Sequence, residues 1–423
     1  MNAAVKPLRT AAEAALLESF ETSPLLCDAH RDQRAQAMQR FAETGLPSRR
    51  MEPWHYTDLR TLLKDAPALA DPQAPAAQME PALTMGARDV VLSAGRLVAG
   101  ARAFEGVTVE PLDGAAFDAL PDVAPPDDPA VSLNRAMALG GALVHVAAGS
   151  NAGVVHLAFR DGQDAAVSMA SRVIVRVEAG ATLTLVESHQ SRDGLAHLTN
   201  TLVEFHLGDG ANLRHVRLNA AGGQTVSLST LVATLSEGAS FETFSLTLGA
   251  RVSRHQAFMR FAGEHAKGAI RGATLIRGKQ HADTTIVVEH VAPNCESREA
   301  FKTVVDDDAT GVFQGRIVVA PHAQKTDGRM SSNALLLSEG ATMNNKPELE
   351  IFADDVQCAH GATCGDLDDN LLFYIMARGL PRKDAEALLL EAFVGAVMDS
   401  VEDEALREAL MDKARGWLAG RSS

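Results

Sequence analysis

The sequence predicts a mainly β protein with flanking helices: a central right-handed parallel β-helix between an N-terminal helical region and a C-terminal helical domain. Short β-type runs follow one another from about 140 to about 355. A small motif recurs between them at steps of about 30 residues, as Gly180-Ala-Thr-Leu, Gly210-Ala-Asn-Leu, Gly238-Ala-Ser-Phe and Gly272-Ala-Thr-Leu, and it returns at Gly340 and Gly361. Aromatics are scarce, with 2 Trp and 2 Tyr in 423 residues, which suits strands stacked through small aliphatic side chains. Because the motif repeats and not merely the strands, a solenoid fits better than a sandwich.

Residues 1–65 form the N-terminal helical region. Leu16, Leu17, Phe20, Ala35, Met38 and Phe41 supply helical faces, and Gly45 and Pro47 end them. The stretch from Leu46 to Thr57 holds Trp54, read as an aromatic anchor that packs this region onto the main body. Residues 66–139 are a proline-punctuated linker with short strands, including a hairpin around Gly95. The β-helix core spans 140–363, each unit being two strands and a turn in which Gly supplies the turn geometry and Ala a small stacked side chain. The C-terminal helical domain takes 364–423. One helix is expected over Asp366–Arg378, closed by Gly379, and Pro381 opens the next. A third covers about Asp403 to Leu418. These helices are expected to cap the exposed end of the solenoid.

The formal charge of −15 argues against a nucleic-acid partner. Cysteines 27, 295, 358 and 364 are too few and scattered for a disulfide framework. No signal peptide and no membrane span is read, so the expected setting is the reducing cytoplasm. The nearest P-loop lookalike, Gly272 to Gln280, has one residue too many and lacks the hydroxyl that holds magnesium, so nucleotide hydrolysis falls to a partner. His145, His156, His206 and His215 lie in strands and are read as polar groups on the solvated face.

The segment from Lys346 to Gly379 carries the strongest signal. Its first half alternates, with Leu349, Ile351 and Ala353 on one side and Glu348, Glu350 and Phe352 on the other. Its second half has helical spacing through Leu367, Leu371, Leu372, Ile375 and Met376. Between them, Cys358 and His360 stand two apart in a strand and so share a face. On their own they read as a small buried hydrophobe and a histidine bonded to a helix N-terminus ahead of a pair of ligands.

Lys346-Pro347-Glu348-Leu349-Glu350-Ile351, Asp354-Asp355-Val356, Cys358-Ala359-His360-Gly361-Ala362-Thr363 and Leu372-Phe373-Tyr374 through Arg378-Gly379 closely resemble the C-terminal signature of the SufB/SufD family, scaffolds of the SUF iron–sulfur cluster assembly system. The Cys-x-His-Gly form and Ser331-Ser332-Asn333 ahead of Leu335-Leu336-Leu337, where SufB proteins carry a functional cysteine, resemble the SufD branch. The resemblance implies a non-catalytic scaffold that pairs with SufB near Cys358 and His360 and takes up transient iron or a nascent Fe–S cluster there. It also implies docking of the ATPase SufC on the C-terminal helices, with Pro381, Ala385, Leu388, Leu389 and Phe393 as candidate contacts. A homodimer of the isolated chain and reduced flavin in the complex are further implications. Cys295 is read as structural and Cys364 as a buried stand-in for an aliphatic residue. The reading from another class is a β-helix carbohydrate-active enzyme using Asp306-Asp307-Asp308 with Arg316.

Overall fold

A computed structural model describes residues 8–26, 30–71, 73, 79–83, 88–98, 101–119, 123–161 and 163–421. Cys27 and the prolines at 72, 75 and 121 lie outside the described residues. From Gly141 to Gly365 successive strands alternate between two ten-stranded sheets, and each strand pairs in parallel with the strand two places along the chain. On one sheet Leu183 lies beside Leu213 and Leu213 beside Phe241. On the other Val203 lies beside Leu231 and Leu231 beside Ala257. Each step is one repeat of about 30 residues, so the chain winds as a parallel β-solenoid. Valine, leucine and phenylalanine side chains of both sheets meet in the interior, where Val175, Leu185, Phe205 and Phe241 are fully buried.

The turn glycines explain why the motif is visible and where it misleads. Gly180, Gly210 and Gly238 take positive φ of 64–66° and donate to the next turn at 2.8 Å, to Asp209, Glu237 and Glu264 respectively. In later rungs His265, Asn294 and Lys325 hold the same left-handed position, at φ 60–62°. That conformation costs a side chain about 1 kcal/mol or more, which the surrounding ladder must offset. Gly272 is therefore not a turn glycine: it sits in mid-strand between Ser245 and Phe301. The alanine stack persists through Ala181, Ala211, Ala239 and Ala266, all fully buried, and Cys295 is the next member of that column.

The N-terminal helices Ala11–Thr22 and Arg31–Thr44 begin and end on local signals. A Thr10–Glu13 capping box starts the first, and Gly45 closes the second at φ 71°. Trp54 anchors this region as expected. Its indole donates to Asp128 at 3.2 Å and lies beneath the Arg254 guanidinium, 3.8 Å from the ring centre. Around it Pro53 accepts from Arg254 and Gln314, and Thr57 donates to the buried Asp283.

Two expectations need correction. The helices Arg382–Met398 and Glu404–Ala419 do not cap the end of the solenoid. They lie along the outer face of one sheet, packing Leu390, Val394, Leu406 and Leu410 on Val216, Leu218, Phe244 and Leu275. His156 and His215 are not on a solvated face either. Both are buried. His156 lies on the outward face beside Val186, bonded to Asp89 at 3.0 Å and Ser188 at 2.8 Å. His215 faces a polar interior, where Glu187 binds His189 and His215 with Arg217 beside it. Burial pushes the Glu187 carboxyl up, but its interactions with His189 and His215 outweigh that and hold it well below the usual carboxylate range.

Candidate functional site

The last rung of the solenoid is bare. Thr342–Ile351 ends one sheet and Gln357–Gly365 ends the other, and each has a neighbour on one side only. The outer edge of each strand thus presents unpaired backbone donors and acceptors. Pro347, which lacks an N–H, fits such an edge. Ile351, beside the core residue Val319, is exposed because no rung lies above it.

Cys358 and His360 stand on this rung. Cys358 pairs with Gly328 and His360 with Met330, a buried core residue, so both side chains share the inward face at the open end. Cys358 is half-buried and packs on the core, while His360 is exposed. The thiol lies over Gly328, where a Cβ would meet Cys358 Sγ at 3.6 Å and Ser297 Oγ at 3.4 Å, both ordinary contact distances. Burial pushes the Cys358 thiol up, the Gly328 backbone N–H counteracts it, and Asp327 and Glu299 add to the rise. A cation arriving nearby would reverse that balance and favour the thiolate. The helix-N-terminus alternative for His360 is not what forms, since Asp368 caps the helix Asp369–Met376.

The other cysteines separate clearly. Cys295 is fully buried, its Sγ 3.3 Å from the Gly263 carbonyl, and burial raises its thiol. Cys364, expected to be buried, is exposed on the terminal strand. The Asp306–Asp308 and Arg316 grouping does not come together. Asp306 is held by Arg421 at 2.7 Å and Arg316 by Glu350 at 3.2 Å.

Of the candidate docking residues, Ala385 is fully buried and is not available to a partner. Pro381 is exposed, Leu388 is 49% exposed, Leu389 is half-buried, and Phe393 is half-buried with Lys302 Nζ 4.6 Å from its ring centre. The short helix Asp369–Met376 buries only Leu372, and Phe373 is 74% exposed beside Leu371 and Tyr374. The apolar spacing there marked a helix correctly, but most of its apolar face turns to solvent.

Sequence reasoning missed Glu299. It lies on the inward face of the strand Glu296–Val305, one step from Met330, with neither carboxyl oxygen hydrogen-bonded among the described residues. The Ser297 hydroxyl is engaged by His290 at 3.1 Å. Burial raises the Glu299 carboxyl to about 8, against the weaker pull of Ser297, Arg298 and Arg271. Its alternation with Ser297 and Phe301 was the available signal.

The profile described as "SUF system FeS cluster assembly, SufBD core domain" matches residues 139–393. The chain is 31% identical over 396 residues to the iron–sulfur cluster assembly protein SufD of Escherichia coli, covering 92% of this chain and 93% of that one. It is 32% identical over 282 residues to a SufBD family protein of Synechocystis, covering 64% and 62%. It is 28% identical over 251 residues to the chloroplastic protein ABCI7 of Arabidopsis thaliana, covering 58% and 52%. The matched profile takes in the solenoid, the bare rung and most of the helix Arg382–Met398, so the chain belongs to the SufBD family of the SUF iron–sulfur cluster assembly system.

Proposed function

We propose that this chain is a non-catalytic scaffold subunit that pairs with SufB through its bare rung and docks the ATPase SufC on its C-terminal helices, in the cytoplasm. The observation that carries this is the rung itself: two parallel edges side by side, with a thiol and an imidazole at their inward face. A strand edge recruits another strand through main-chain hydrogen bonds, so a second solenoid is the chemically matched occupant. Iron and nascent clusters are cargo here. An iron–sulfur cluster takes about four ligands. Cys358 and His360 supply two, and among the described residues no group of three or more His, Cys, Asp or Glu is gathered. The remaining ligands come from the partner. The exposed Phe373, Tyr374 and Leu388 give the ATPase an apolar footing next to the helices it would move.

Purification of the tagged full chain from its native host tests this. Recovery of an ATPase and a second β-solenoid protein is expected. Recovery of neither from iron-starved cells refutes the reading.

A further inference from the structure

The C-terminal helix and the bare rung are joined by a line of side chains that no backbone ladder accounts for. Lys302, Asn333 and Thr363 are directly opposite one another on three successive strands of the helix-covered sheet. Lys302 Nζ donates to Asn333 Oδ1 at 3.1 Å, and Asn333 Nδ2 donates to Thr363 Oγ1 at 2.7 Å. At one end Lys302 sits on the Phe393 ring of the helix Arg382–Met398. At the other, the Thr363 carbonyl accepts from Asn345 Nδ2 at 3.5 Å, and Asn345 accepts from Ser332 at 2.7 Å. The line thus begins on the helix and ends on both terminal strands.

The chemistry of Lys302 makes the line responsive. Partial burial lowers its pKa, and among the described residues it has no carboxylate partner, so the ring face and the Asn333 amide oxygen are the protein groups that hold its half-buried ammonium. An ammonium on Oδ1 polarises the amide and strengthens the donation from Nδ2 to Thr363. If Phe393 shifts, Lys302 turns to solvent and Asn333 loses that support. Thr363 is on a strand with a ladder on one side only, so a side-chain tie to that ladder is a larger share of what orders it than on an inner strand.

The geometry points to Lys302, Asn333 and Thr363 as positioning residues that couple the packing of the helix Arg382–Met398 to the order of the rung bearing Cys358 and His360. The biological meaning rests on the proposed docking of the ATPase on those helices. The coupling itself belongs to the single chain and is measured without a partner.

Amide hydrogen exchange on the full chain reads it. Phe393→Leu keeps an apolar side chain but removes the ring. It is expected to speed exchange of Gln357–Gly365 about fivefold while the inner strand Leu198–Leu207 is unchanged. In an Asn333→Ala or Lys302→Met background the same substitution should add less than about twofold, since the line is already cut. Equal acceleration in both backgrounds, no acceleration at all, or equal loosening of the inner strand overturns the coupling. An ATPase that fails to bind the unmodified chain overturns the docking reading and leaves the coupling standing.

Discussion

Replacing Glu299 by glutamine should remove a large part of the pH dependence of stability between pH 5 and pH 8.5. The wild-type carboxyl is 2% exposed, has no hydrogen bond among the described residues, and is raised from the usual 4.5 to about 8 by burial. Below about pH 4.5 folded and unfolded chains both hold the proton, and ionisation costs nothing. Between about 4.5 and about 8 the unfolded chain releases it while the folded chain keeps it, so stability falls as pH rises. Above about 8 the loss is complete. The penalty is about 3 kcal/mol at pH 7 and about 5 kcal/mol above pH 8. Glutamine has the same shape and does not titrate, so its own burial cost is constant with pH. The stability gain of Glu299→Gln over the parent, from urea unfolding at several pH values, should therefore grow by about 4 kcal/mol from pH 5 to pH 8.5. Other groups that titrate in this range, such as Asp161 at about 7, are common to both proteins and cancel. A gain that stays flat across the range refutes the reasoning and means that Glu299 is ionised in the fold.

Further outcomes follow from the same geometry. Trp54→Ala removes the anchor beneath Arg254 and should cost about 4 kcal/mol in urea unfolding, with the solenoid strands still protected in hydrogen exchange. Cys358→Ser with His360→Ala should cost about 1 kcal/mol or less because both lie on the bare rung. The same double change should abolish cluster delivery to host iron–sulfur enzymes when other assembly routes are disabled, and full activity would remove the ligand role. Cys364→Val, on an exposed site, should be silent in both assays. Phe373→Glu with Leu388→Glu should abolish ATPase pull-down and leave stability within about 0.5 kcal/mol. These substitutions are better than truncation at Gly379, which would strip the cover from Phe244, Leu246 and Leu275.

The fold was legible because a solenoid writes its period into its turns. Gly180, Gly210 and Gly238 announced it, and the reading slipped at Gly272 because His265, Asn294 and Lys325 had taken over the left-handed position without a sequence mark. The candidate pair was legible through strand alternation, which placed Cys358 and His360 on one face. What strand alternation cannot report is which face meets water when both are covered. His215 and Glu187 were unreadable for that reason: one sheet face lines the interior, the other carries helices, and polar residues inside have no distinguishing pattern. The capping expectation failed similarly, since an apolar helix face packs equally well on a sheet face or on a sheet end.

The bare rung also sets how the chain comes apart. In a stacked array each rung touches only its neighbours, so its hold is close to the sum of two interfaces. The final rung has one. The molecule behaves like a zipper with an unfastened last tooth, and Gln357–Gly365 is the place where opening starts. A second solenoid seated there would fasten that tooth. The strand that holds Cys358 and His360 would then be most ordered only while the partner is present, and under the proposed ligand role this would tie readiness to receive iron or a cluster to the presence of something to receive it with.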